Sequence, residues 1–96
     1  MIRVIYRWSV PPEAESDFLT WWHDGTMSIR NSHDGAMGST LLRSTEAPTT
    51  FVAVARWRSR EHLARFRRTA GVRPFAGATL ETIEVFEEID DLTVHG

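Results

Sequence analysis

An α+β fold, a four-stranded antiparallel sheet with two helices on one face in the order β-α-β-β-α-β, is predicted by three features of the sequence. Of four short segments, the first and last, Ile2 to Val10 and Leu80 to Ile89, alternate along the chain with the period of a strand, and the second and third, Ala36 to Thr45 and Thr50 to Ser59, have strand-like length and composition. Between the first and second, and again between the third and fourth, the apolar spacing changes to three and four residues, the period of a helix. The second and third strand segments are separated only by EAPT, a hairpin-length connection.

The first strand is Ile2 to Val10, IRVIYRWSV, with Ile2, Val4, Tyr6, Trp8 and Val10 pointing one way and Arg3, Ile5, Arg7 and Ser9 the other. Pro11 and Pro12 end it, because neither can donate to a ladder. A helix is expected from about Pro12 to Arg30. Ala14, Phe18, Leu19, Trp21 and Trp22 recur along it, and Glu13, Glu15 and Asp17 sit in its first turn, where the helix dipole favours negative charge. His33, Asp34 and Gly35 form a turn into the second strand, Ala36 to Thr45, and the third strand runs from Thr50 to Ser59. Ser59 then reads as the N-cap of a second helix carrying Leu63, Phe66 and Ala70 on one face, stopped by Gly71 and Pro74. Leu80 to Ile89 is the last strand. This succession is the ferredoxin-like split unit.

Ninety-six residues suit one domain, 1–96, near the lower end of what builds an adequate core alone. The composition, 42% hydrophobic and 25% charged, is that of an ordinary globule, with no apolar run approaching the ~20 residues of a membrane span. All eleven positive side chains are arginines, yet thirteen acids offset them to a net charge of −2, which argues against a nucleic-acid partner. No cysteine is present, so disulfides and thiolate metal sites are excluded. Met1 leads directly into strand sequence without a signal-peptide pattern, and a cytoplasmic protein is expected.

The third strand is apolar on both faces, with Phe51, Ala53, Ala55 and Trp57 on one and Val52 and Val54 on the other. Two helices cover one face of a sheet only. Taking Phe51 and Trp57 as the helix-covered set leaves Val52, Val54, Val4, Tyr6 and Trp8 to be covered by something else, and a second copy across a two-fold axis is the simplest cover. A homodimer is expected.

Several segments in order make the chain resemble the antibiotic biosynthesis monooxygenase family of dimeric α/β barrels over nearly its whole length. These are the opening strand ending in Val-Pro-Pro, Phe18 in the first helix, DGAMGSTLLRS (Asp34 to Ser44), the short hairpin, and ARWRSREHL (Ala55 to Leu63), which is similar to the family's Trp-x-Ser-x-Glu junction. The resemblance implies oxidation of a small or polycyclic aromatic of phenol or quinol type by O2, without metal, flavin or other cofactor. Such chemistry needs a dry pocket and a group that moves a proton. In the polyketide-oxidising members an Asn four positions before this Trp and a Tyr six positions after it complete the pocket; here those positions are Ala53 and Leu63. The haem-degrading branch uses an Asn, a Trp and a His at places corresponding to Arg7, Phe66 and roughly Ala76, so haem breakdown by that arrangement is not expected. The alternative is a dimer that binds a small ligand without transforming it.

The candidate catalytic residues are Trp57, Arg7 and His62. Trp57 either lips a pocket or closes a core. Arg7 either holds a phenolate or carboxylate oxygen, if its strand face looks toward the helices, or pairs with Glu84 or Glu88 on a neighbouring strand. His62, in the first turn of the second helix, is either a proton carrier or a surface residue. Phe18, Trp22, His23, Phe51, Leu63 and Phe66 are the candidate ligand-contacting residues. His33 lies in a turn and His95 near the C-terminus, and neither suggests a role. No His pair has metal-ligand spacing, and no phosphate-binding glycine loop or nucleophile elbow is present.

Overall fold

The computed structural model describes residues 1–71 and 73–93; His95 lies outside them. Strand β1 (Ile2–Ser9) is followed by a 3₁₀ turn (Pro12–Ala14), helix α1 (Glu15–Ser32), strands β2 (Ala36–Arg43) and β3 (Thr50–Trp57), helix α2 (Arg60–Thr69) and strand β4 (Thr79–Glu87). The sheet order is β2-β3-β1-β4 with every pairing antiparallel, the expected ferredoxin-like α+β arrangement. The differences from expectation fall at element ends. Pro12 opens a 3₁₀ turn before the α-helix proper, and α1 continues through Gly25 and Asn31 until His33 turns extended. Gly35 follows at φ 82°, a left-handed conformation that glycine adopts without steric cost.

The register of β1 against β3 sets Ile2 opposite Trp57, Val4 opposite Ala55, Tyr6 opposite Ala53 and Trp8 opposite Phe51. Directly opposed residues share a face of an antiparallel pair, so all eight point the same way, toward the helices. This corrects the expectation that Val4, Tyr6 and Trp8 belong to the far face. They are core residues, buried with Phe18, Phe51, Trp57, Leu63 and Phe66. The alternation of β1 was legible; which of its faces meets which face of β3 depends on pairing register.

Phe18 is the hub of this core. It is fully buried, and its ring lies 5.2 Å from Trp8, 5.6 Å from Trp21, 5.4 Å from Phe51 and 5.7 Å from Phe75, in edge-on and tilted geometries that favour aromatic pairs. α1 is thereby fixed to the sheet near its first turns.

The opposite sheet face carries Ile5, Arg7, Val52, Val54, Leu42 and Phe86, none of them fully buried. Strand β4 is exposed along its whole length, with Ile83 and Val85 on the helix side and Phe86 on the far side each 45–47% exposed.

Candidate functional site

Three elements leave a gap between them. The sheet floor bears Tyr6, Trp8, Ala53, Ala55 and Trp57, α1 contributes Trp21, Trp22 and Ile29, and the C-terminal half of α2 contributes Phe66. The two alanines create the space: at Ala53 and Ala55 the floor drops to a methyl group between large aromatic neighbours. The resulting cavity has a volume of about 620 Å³, within the range of small-molecule sites, and all four tryptophans of the chain line it. A second cavity of about 360 Å³ adjoins it on the β4 side. The two share Tyr6, Trp8, Trp21, Phe66 and Arg73 as their common wall.

Trp57 is 3% exposed, its ring lies 4.9 Å from that of Phe66, and it forms part of the cavity floor. Trp22 and Phe66 also line the cavity, whereas Phe18, Phe51 and Leu63 lie outside its lining and fill the core beside it. His23 is an exposed residue of α1 that does not reach the cavity.

Arg7 does not enter the site. It opposes Val52 on one side and Thr82 on the other, on the sheet face away from the helices, and is exposed. A carboxylate expected as its alternative partner, Glu88, instead receives Arg3 Nε at 2.9 Å.

His62 is held in a capping network at the start of α2. The Ser59 hydroxyl accepts the His62 backbone N–H at 3.2 Å and stands 2.6 Å from Nδ1 of the same residue. Nε2 faces the Asp34 carboxylate at 3.3 Å. The arrangement fits a ring that accepts from Ser59 and donates to Asp34, fixing the β2 entry turn to the helix N-terminus. It lies outside the cavity lining.

Tyr6 and His33 are among the polar cavity residues that the sequence did not point to. Tyr6 lines both cavities, and burial pushes its phenol above the ordinary 10.0, opposed by the positive charge of Arg67, so the hydroxyl stays protonated around neutral pH. His33 lines the main cavity and sets its imidazole edge-on to Phe66 at 5.0 Å. No local pattern marks a turn histidine as a cavity residue; Tyr6 was hidden by the register. Among the described residues no group of three or more His, Cys, Asp or Glu side chains could hold a metal ion, and no helix is long and apolar enough to cross a membrane.

The profile of the family described as antibiotic biosynthesis monooxygenase matches residues 1–78. No curated protein sequence matches the chain. Among solved structures, the haem degrader MhuD of Mycobacterium tuberculosis, with two haems bound in its active site, is 23% identical with a TM-score of 0.76, covering 97% of this chain and 100% of its own. A variant of SnoaB, a cofactor-independent oxygenase of Streptomyces nogalater, is 22% identical with a TM-score of 0.77 and 95% coverage of both chains. At these identities the likeness is one of fold.

Proposed function

The chain belongs to the antibiotic biosynthesis monooxygenase family, and from that premise we propose that it oxidises a small or polycyclic aromatic of phenol or quinol type with O2 and no cofactor. The observation that carries this reading is the aromatic cavity over Ala53 and Ala55. A flat ring entering it meets Trp22, Trp57 and Phe66 and leaves water behind. The chemistry balances without an external reductant: when an activated ring CH2 becomes C=O, one oxygen atom of O2 enters the product and the other leaves as water. Of the polar groups at hand, the protonated Tyr6 hydroxyl is suited to donate to a ring oxygen. The His33 imidazole, on the cavity wall, is the second group placed to move a proton.

The sheet supports a homodimer. The far face and β4 expose Leu42, Ile83, Val85 and Phe86, and a second copy would cover them. Sedimentation at micromolar concentration should give twice the 11.0 kDa protomer mass.

A second reading, ligand binding without chemistry, draws on the methyl group of Ala53 and the core position of Leu63, where the polyketide-oxidising members have Asn and Tyr. An O2 electrode separates the two. With a panel of hydroquinones and anthrones, catalysis consumes O2 in the wild type and much less in Trp57→Phe, while Arg7→Ala retains the wild-type rate. Binding without uptake across the panel favours the carrier.

A further inference from the structure

The rim of the aromatic cavity is cationic in a way that packing does not require. Arg30, Arg56 and Arg73 line the main cavity, and Arg67 and Arg73 line the adjoining one. Five other arginines, Arg3, Arg43, Arg56, Arg60 and Arg65, have carboxylate partners. Arg7, Arg58 and Arg68 stand away from the adjoining pair of cavities without one among the described residues, so it is convergence on the cavities, more than lack of a partner, that sets the rim arginines apart. Among the described residues Arg30, Arg67 and Arg73 have no ion pair with a carboxylate.

A bland explanation covers part of this. Arg30 and Arg67 stand in the last turns of α1 and α2, where a cation offsets the helix dipole. The magnitudes leave a surplus. Arg56 also lines the main cavity but faces Glu88 at 3.9 Å. Over the two cavities together, two helix C-termini contribute about −0.5 each and Asp24, the one acidic lining residue among the described residues, contributes one further negative charge, against the guanidinium groups of Arg30, Arg67 and Arg73. Arg73 lies beyond the end of α2 and is not explained by its dipole.

A second observation lies on the β2 side. The Ser39 hydroxyl is buried without a hydrogen-bond partner and belongs to the cavity lining, and the Arg30 side chain runs alongside the neighbouring Gly38. A buried hydroxyl left unpaired costs free energy that a ligand oxygen would relieve.

We propose that this cavity selects an aromatic acid, its ring system against Trp22, Trp57 and Phe66 and its carboxylate drawn by Arg30 and Arg73, with the Ser39 hydroxyl donating to a ligand oxygen. The proposal deepens the reading that the cavity is the ligand site, and it does not depend on oxidation. Guanidinium groups suit the planar carboxylate and form charge-assisted hydrogen bonds to it. A neutral ring of the same size would gain the stacking without the charge contribution.

Calorimetric titration with 2-naphthoate and with its neutral counterpart 2-naphthamide tests this without O2 chemistry. The naphthoate should bind about tenfold more tightly at low ionic strength, the margin of one charge-assisted contact. The preference should shrink as salt is raised, because charges at an exposed rim are screened. The Arg30→Gln, Arg73→Gln double variant should bind both probes with the affinity the wild type shows for the amide. Equal affinities in the wild type, binding of neither probe, or a preference that survives in the double variant would overturn the proposal. A protein that oxidises neutral anthrones but shows no naphthoate preference loses this inference alone. One that prefers naphthoate and consumes no O2 loses only the oxygenase reading.

Discussion

The imidazole of His33, at the end of α1, stands edge-on to the ring of Phe66, in α2, with centroids 5.0 Å apart and planes at 82°. Phe66 in turn lies 4.9 Å from Trp57 on the sheet floor, so this pair joins both helices to the cavity through one aromatic side chain. If His33 moves a proton during turnover, His33→Phe should keep the packing and lose the chemistry. The melting temperature should stay near wild type while kcat for O2 uptake falls by about 10²-fold, the lower end of what general acid–base catalysis contributes. An unchanged kcat would remove His33 from the mechanism.

Phe18 is a packing residue. Its Ala variant should lose about 3–5 kcal/mol, the usual cost of deleting a buried aromatic ring, read as a fall in the urea midpoint with the slope little altered. A loss below about 1 kcal/mol would mean that the cluster of Trp8, Trp21, Phe51 and Phe75 closes over the space.

Tyr6 gives the stability a pH signature. Its pKa is raised in the folded protein, chiefly by burial, so folding favours the protonated phenol. That contribution is complete below the ordinary 10.0 and is lost as pH rises through the higher folded value. Thermal unfolding between neutral pH and strongly alkaline pH should therefore show an alkaline decline that Tyr6→Phe makes shallower; an identical decline in both proteins would assign it to other groups.

Gly35→Ala should be more damaging than a place in a turn suggests, because the residue is buried. The residue has φ 82°, and an added Cβ would overlap the ring of His62. Strain of this kind costs about 1–3 kcal/mol, and displacement of His62 would also break its contact with Asp34. His62→Ala should relieve the overlap, so the double variant is expected to be more stable than the two single losses added together; strict additivity would show that the backbone strain acts alone.

Most of the fold was legible because its signals are local. Period-two alternation marked β1 and β4, a turn and a hairpin-length connection delimited β2 and β3, Ser59 announced α2 by its cap, and the apolar spacing of Phe18 and Trp22 marked the buried side of α1. The site was only half legible. Trp57, Trp22 and Phe66 could be named as aromatic residues near one junction, but Tyr6 and Arg7 are neighbours in sequence on opposite faces of β1, and only the pairing of Tyr6 with Ala53 reveals which of them meets the cavity. His33 reaches the site because α1 runs on through Gly25 to Ser32, a length that hydrophobic spacing left open. His62 carried the attributes of a proton carrier, and the structure ties it instead to Ser59 and Asp34.

An aromatic ligand is expected to occupy the space between α1 and the Tyr6–Trp57 side of the sheet. Because all four tryptophans line that space, an NMR titration of the indole N–H signals with 2-naphthoate reads it directly. Saturable shifts of Trp22 and Trp57, with the backbone amides of Arg7 and Val52 on the far face unmoved, are the predicted result. Unmoved indoles with shifts confined to Arg7 and Val52 would put the ligand on the wrong side of the sheet and contradict the claim.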